Sequence, residues 1–199
     1  MKVIITAGGT GGHIYPAISI IDKIKKMDKS CEILYIGTTN RMEKDIIPNM
    51  NIDYEGIKIN GLSKNPITCL KCLTSTLKGI DKCSKIMKSF KPDVVVGVGG
   101  YVTVPVVLAA HKLNIPIILH EQNSVPGKAN KFLSKYATKI GVSFKETLNA
   151  FPKDKVVLTG NPCGDYATKV KEASKKEFGL SNKKKLVLIA MGSLGSRTV

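Results

Sequence analysis

The segment GGTGGH (8–13) places four glycines, a threonine and a histidine directly after the apolar run KVIIT (2–6). Glycine lets a backbone turn tightly and approach a ligand closely. A helix N-terminus beyond such a turn offers unpaired N–H groups and positive potential to an anion. In that setting the potential favours the neutral form of His13, the form that accepts a proton. A base beside an anion cradle suits chemistry on a substrate carrying a phosphate or diphosphate; a histidine that merely caps a tight turn is the alternative. Two nucleotide-binding readings are excluded by spacing. Counting GxGxxG from Gly9 puts Ile14 at the third glycine, and the acidic residue expected at the end of the second strand is replaced by Gly37-Thr38-Thr39. No GxxxxGK[ST] occurs either.

Two further clusters follow apolar runs: Gly99-Gly100-Tyr101 after DVVVGV, and His120-Glu121-Gln122-Asn123 after PIIL. Cysteines 31, 69, 72, 83 and 163 are odd in number and form no disulfide framework. Cys69 and Cys72 make a CxxC, but no second ligand pair follows, which weighs against a metal or redox role. The 31 basic and 15 acidic residues give a net charge of +16, which favours anionic partners such as a phosphorylated substrate or an anionic membrane face. Zinc-finger spacing, RNP-like aromatics and basic-zipper heptads are all missing, so nucleic acid is not expected as a partner. No run approaches the roughly 20 apolar residues of a membrane span, and the start is too short for a signal peptide, so a cytoplasmic location is expected.

These clusters need elements to hold them. Short apolar runs alternate with helical stretches: KVIIT then 15–27, EILYIG then 41–49, DVVVGVG then 104–113, PIILHE then 126–136, followed by KIGVSF and VVLTG. Continuous apolar strands joined by helices predict a parallel sheet with right-handed crossovers, an α/β, Rossmann-like, doubly wound domain. Ligands of such sheets bind beyond the carboxyl ends of the strands, where all three polar clusters fall.

The longest predicted helix spans about 66–90. At 100° per residue, Lys71, Lys78, Lys82 and Lys85 form one stripe, while Leu73, Leu77, Ile80, Cys83 and Met87 form the side expected to pack on the sheet. Ile67, with the neighbouring Leu62 and Lys64, could bring this end to a membrane surface; a solvated lysine face is the alternative. GNP (160–162) reads as a linker. Beyond it the pattern predicts a helix over about 166–178, a strand KLVLIA (185–190) and a loop MGSLGS, too little to bury a core. The expected organisation is a first domain over 1–162 and the start of a second over 163–199.

In order and rough spacing, TAGGTGGHIYPA (6–17), GVGGYVTVP (97–105), HEQNSVPGKANK (120–131), TGNP (159–162) and MGSLGS (191–196) resemble the MurG family of peptidoglycan N-acetylglucosaminyltransferases. The resemblance implies the first half of a two-domain GT-B fold. It also implies inverting transfer of GlcNAc from UDP-GlcNAc to the MurNAc 4-hydroxyl of the undecaprenyl-diphosphate acceptor lipid I, giving lipid II. Neither a cofactor nor a metal is expected, and the location would be peripheral, on the cytoplasmic face of the membrane. Carried onto this sequence, the family pattern gives Thr10, Gly11 and Gly12 for nucleotide-sugar contact, with His13 as base. Gly99, Gly100 and Tyr101 would lie beside the acceptor, and Asn123 and Ser193 beside the donor. Asn130 would stand near the acceptor. Glu121 is a rival base or a packing carboxylate, and His120 is read as structural.

Two positions depart from the family. GNP is followed by Cys163 and Gly164 where an arginine is usual, and Met191 replaces a glycine. Lys169 or Lys171 is no equivalent, since lysine lacks the bidentate guanidinium. Most of the donor pocket is expected in sequence this chain lacks, so binding of acceptor with little turnover is expected. An acceptor-binding, membrane-attached half of a split glycosyltransferase, and a superfamily member that transfers another sugar, stand as alternatives.

Overall fold

A computed structural model describes residues 1–61, 66–168, 170–171, 173–181, 183–187 and 189, with side chains left aside for 66–70 and 165. Two compact units divide the chain, Met1–Cys163 and Gly164–Val199.

The first unit is a seven-stranded parallel sheet in the order β3-β2-β1-β4-β5-β6-β7. Its strands are β1 Lys2–Thr6, β2 Glu32–Thr38, β3 Asp53–Ile57, β4 Val94–Gly97, β5 Ile117–Glu121, β6 Lys139–Val142 and β7 Val156–Leu158. Helices α1 Gly11–Met27, α2 Glu43–Ile46, α3 Pro66–Phe90, α4 Thr103–Lys112 and α5 Lys128–Leu133 connect them. β1 pairs with β2 in the register Ile4↔Leu34 and with β4 in the register Ile4↔Val95. The chain therefore moves outward through β2 and β3, then returns to the other side of β1. The topological switch point lies between β1 and β4, and both glycine clusters sit at its carboxyl edge. Two apolar layers flank the sheet. Val3, Ile5, Ile14, Ile18 and Ile21 build one under α1; Ile4, Ile36, Cys83, Met87 and Val106 build the other under α3 and α4.

Three expectations for this unit need correction. α1 begins at Gly11, not near residue 15, so Gly11–His13 form its first turn and Pro16 lies inside the helix. β3, absent from the sequence reading, is the edge strand beyond β2. On α3 the buried positions are Cys72, Gly79, Cys83 and Met87, while Leu73 and Leu77 are 57% and 59% exposed. The packed face is thus rotated away from the leucines. Gly79 sets it, because a Cβ there would lie 3.1 Å from Pro105 Cβ of α4.

In the second unit, the helix expected over 166–178 is instead two short pieces, α6 Gly164–Ala167 and a 3-10 turn Lys175–Phe178. Ser174 starts the second piece with a reciprocal cap: its side chain accepts from the Lys176 amide, and Glu177 accepts from the Ser174 amide. Residues 185–187 and 189 of the expected strand KLVLIA are not in a strand. Leu62 and Lys64, Lys169, Met191 and Ser193 lie outside the described residues, as does the side chain of Ile67.

Candidate active site at the switch point

The glycine turns after β1 and β4 interlock. Gly8 N–H donates to the Gly99 carbonyl at 3.3 Å. A Cβ on Gly100 would stand 2.3 Å from the Gly8 carbonyl oxygen, and one on Gly99 would stand 2.6 Å from His13 Cδ2. Gly99 and Gly100 hold φ of 108° and 88°, in the region that side-chain-bearing residues avoid. Glycine is therefore required here by both contact and conformation. Thr103, at the start of α4, ties the second turn down by donating its hydroxyl to the Gly99 carbonyl at 2.8 Å.

At the head of α1, the His13 and Ile14 amides fold back on the Thr10 carbonyl. The amides of Thr10, Gly11 and Gly12 have no hydrogen-bond partner among the described residues. Three free N–H groups at a helix N-terminus form an anion cradle. His13 stands beside them half-buried, with Nδ1 3.4 Å from Thr10 Oγ1. Burial lowers its proton affinity below the ordinary 6.5, against the opposing pull of Glu121 and the Gly8 backbone. Near neutral pH the imidazole is thus uncharged and can accept a proton.

Glu121 ends β5 and is almost fully buried. Its Oε1 accepts the amide and side-chain N–H of Asn123 at 3.0 and 2.9 Å, and its Oε2 accepts Gly127 N–H and Asn130 Nδ2 at 2.9 and 3.0 Å. With four donors on two oxygens, this carboxylate has the geometry of a loop clamp and not of a free base. Its clamp leaves Asn123 exposed, while Asn130 is buried and also donates to the His120 carbonyl. Thr147 braces the same loop by donating to the carbonyls of Asn123 and Ser124. His120 is structural, with Nε2 within 3.2 Å of both the Gly160 carbonyl and Thr159 Oγ1. Tyr101 is half-buried between the turns, near Gly9 and Gly61.

The glycine cradle, His13, Tyr101, Glu121, Asn123 and Asn130 thus gather at one sheet edge. Two residues of this region were given no role by the sequence, although Gln122 lies within the third cluster. Gln122 Nε2 donates to the Val98 carbonyl at 2.6 Å, tying the third cluster to the strand end before the second. Glu43 is wholly buried beneath the first turn, and only the fold brings it there. No group of three or more metal-ligating side chains occurs among the described residues.

The profile of the glycosyltransferase family 28 N-terminal domain matches residues 3–142. The chain belongs to glycosyltransferase family 28. Its sequence is 47% identical over its whole length to a Bacillus pumilus protein named UDP-N-acetylglucosamine–N-acetylmuramyl-(pentapeptide) pyrophosphoryl-undecaprenol N-acetylglucosamine transferase. It is 46% identical to the Bacillus subtilis protein of that name. The family 28 chain spans about half the length of these curated relatives, 55% in each case. A crystal structure of Acinetobacter baumannii MurG superposes with a TM-score of 0.71 at 31% identity, covering 93% of this chain and 50% of that one. A UDP-GlcNAc 2-epimerase from Neisseria meningitidis shares the fold at 20% identity and a TM-score of 0.62, over 81% of this chain and 47% of that one.

Proposed function

We propose that this family 28 chain is the acceptor-binding half of an inverting N-acetylglucosaminyltransferase that converts lipid I to lipid II. The observation that carries the reading is the interlocked pair of glycine turns, which sets three free amides beside an uncharged, half-buried histidine. The diphosphate of the undecaprenyl-linked acceptor binds the Thr10, Gly11 and Gly12 amides, with Gly99, Gly100 and Tyr101 forming the opposite wall. His13 takes the proton of the MurNAc 4-hydroxyl as its oxygen attacks the anomeric carbon of GlcNAc. The bond from that carbon to the UDP oxygen breaks, UDP leaves with the electron pair, and the configuration inverts. The buried Glu121 carboxylate stabilises the imidazolium so formed, since its charge already raises the proton affinity of His13. Asn123 offers a neutral amide to the donor sugar. Most contacts to UDP-GlcNAc, including that of Ser193, belong to the second unit and to the further length seen in the relatives.

Attachment to an anionic membrane surface fits the same half. No described helix is long and apolar enough to cross a bilayer, but α3 exposes Leu73 and Leu77 on a helix that also carries exposed Lys71, Lys78, Lys82 and Lys85. The enzyme is accordingly read as peripheral, on the cytoplasmic face.

Calorimetry with a soluble lipid I analogue tests the assignment. Wild type binds, while His13→Ala and Tyr101→Phe bind more weakly. UDP-GlcNAc titrated into the same chain gives little or no heat. Absence of acceptor binding by wild type, or micromolar donor binding, overturns the reading.

A further inference from the structure

Glu43 lies on α2, outside the three polar clusters, yet no part of it reaches solvent. Its Oε1 accepts the amide of Thr38 at 3.1 Å and the Thr38 hydroxyl at 2.7 Å, both at the end of β2. Its Oε2 accepts the amide of Gly9 at 3.4 Å. The fit around it is tight: a Cβ on Gly8 would lie 2.6 Å from Oε1, and one on Gly37 would lie 2.8 Å from Glu43 Cγ. Two tyrosines complete the shelf. Tyr54 donates its hydroxyl to the Thr38 carbonyl, and Tyr35 donates to the Ala7 carbonyl at 2.9 Å. Burial, reinforced by the nearby Glu43 charge, raises the proton affinity of both phenols, so they stay donors.

We infer that Glu43 is a positioning residue for the active site, fixing Gly8 and Gly9 so that the first glycine turn meets the second and His13 is aimed. The connection is continuous. Glu43 grips Gly9 and abuts Gly8; Gly8 bonds Gly99 and leaves no room for a side chain at Gly100; Gly99 lies against the His13 ring. By taking the Gly9 amide, Glu43 also decides which amides stay free: the cradle begins at Thr10. A carboxylate suits this task because it accepts three donors and supplies none. Glutamine keeps the shape but turns an N–H toward an N–H. The catalytic significance rests on the proposed role of His13, whereas the geometry of the turn does not.

The test is an NMR titration of the full chain, comparing wild type with Glu43→Gln and Thr38→Val. In Glu43→Gln the turn loosens, the amide signals of Gly9 and Gly99 move, and the His13 midpoint rises toward 6.5 as the ring gains water. Signals from β6 and β7 stay in place. Binding of the soluble lipid I analogue falls by about tenfold. Thr38→Val removes one hydrogen bond to Oε1 and gives the same changes, but smaller. A folded Glu43→Gln with wild-type Gly9 and Gly99 signals and a wild-type His13 midpoint overturns the inference. Should that variant fail to fold, an unchanged Thr38→Val overturns it as well. If wild type binds no acceptor analogue while the turn still shifts in the variants, the proposed function fails and the role of Glu43 stands.

Discussion

At His13, burial and charge pull in opposite directions, and burial prevails. The same holds at His120, where desolvation outweighs the Gly160 carbonyl and Glu121. Both residues bind protons more weakly folded than unfolded, so acid favours the unfolded chain. Their contribution is complete above the unfolded value of 6.5 and is lost as pH falls through the lower folded midpoints. The melting temperature is expected to drop as pH falls below 6.5, and His120→Gln to flatten that slope in thermal scans. Glu121→Ala strands the donors of Asn123, Gly127 and Asn130 and costs about 1–3 kcal/mol in urea unfolding, more than Asn123→Ala, whose side chain is exposed. The sequence displayed His13, Tyr101 and Asn123, because glycine runs and an HEQN cluster mark themselves by type and spacing. It hid Glu43, since a buried carboxylate has no local pattern and gains its meaning from a turn 34 residues away.

On α3 the helix limits were legible, and so were Cys83 and Met87 on its inward face, but the centre of that face was not. Hydropathy favours a side containing Leu73 and Leu77, yet the helix packs through Cys72 and Gly79 beside Cys83 and Met87. Close approach to α4 demands a residue without a side chain, and hydropathy gives that requirement no weight. Gly79→Val should therefore destabilise the first unit by about 1–3 kcal/mol through overpacking against Pro105, with Gly79→Ala milder, as measured by chemical denaturation. Leu73→Ser with Leu77→Ser should leave stability within about 0.5 kcal/mol, because both side chains are exposed. The same pair should abolish co-sedimentation with anionic vesicles; undiminished sedimentation would remove the leucines from the membrane contact. The lysine side of α3 borders a groove of about 510 Å³ lined by Lys58, Lys71, Lys78 and Lys82. Lys82 is already engaged there, bonded to the Gly56 carbonyl and paired with Glu55.

For the whole molecule, strand alternation was enough to read the parallel sheet and to put the site at its carboxyl edge. β3 escaped because DYEGI carries two acids and a glycine, residues that strands disfavour. It is an edge strand whose support is its pairing with β2. The segment KLVLIA erred the other way: its composition suits a strand, but a strand needs a neighbour. Removing residues 164–199 is expected to leave the thermal midpoint of the first unit unchanged, since Met1–Cys163 forms its own compact unit; a marked fall would refute that independence. The sheet order has a consequence for how the protein is made. β1 is made before the other six strands of this sheet, yet it lies inside the sheet, third of the seven, and takes β4 as its second neighbour, with Val3 opposite Val94. At roughly 5–20 residues per second, translation leaves that edge open for several seconds. During that interval Val3, Ile4 and Ile5 keep one edge of an apolar strand unpaired, so pairing with β4 is the step that removes this exposure.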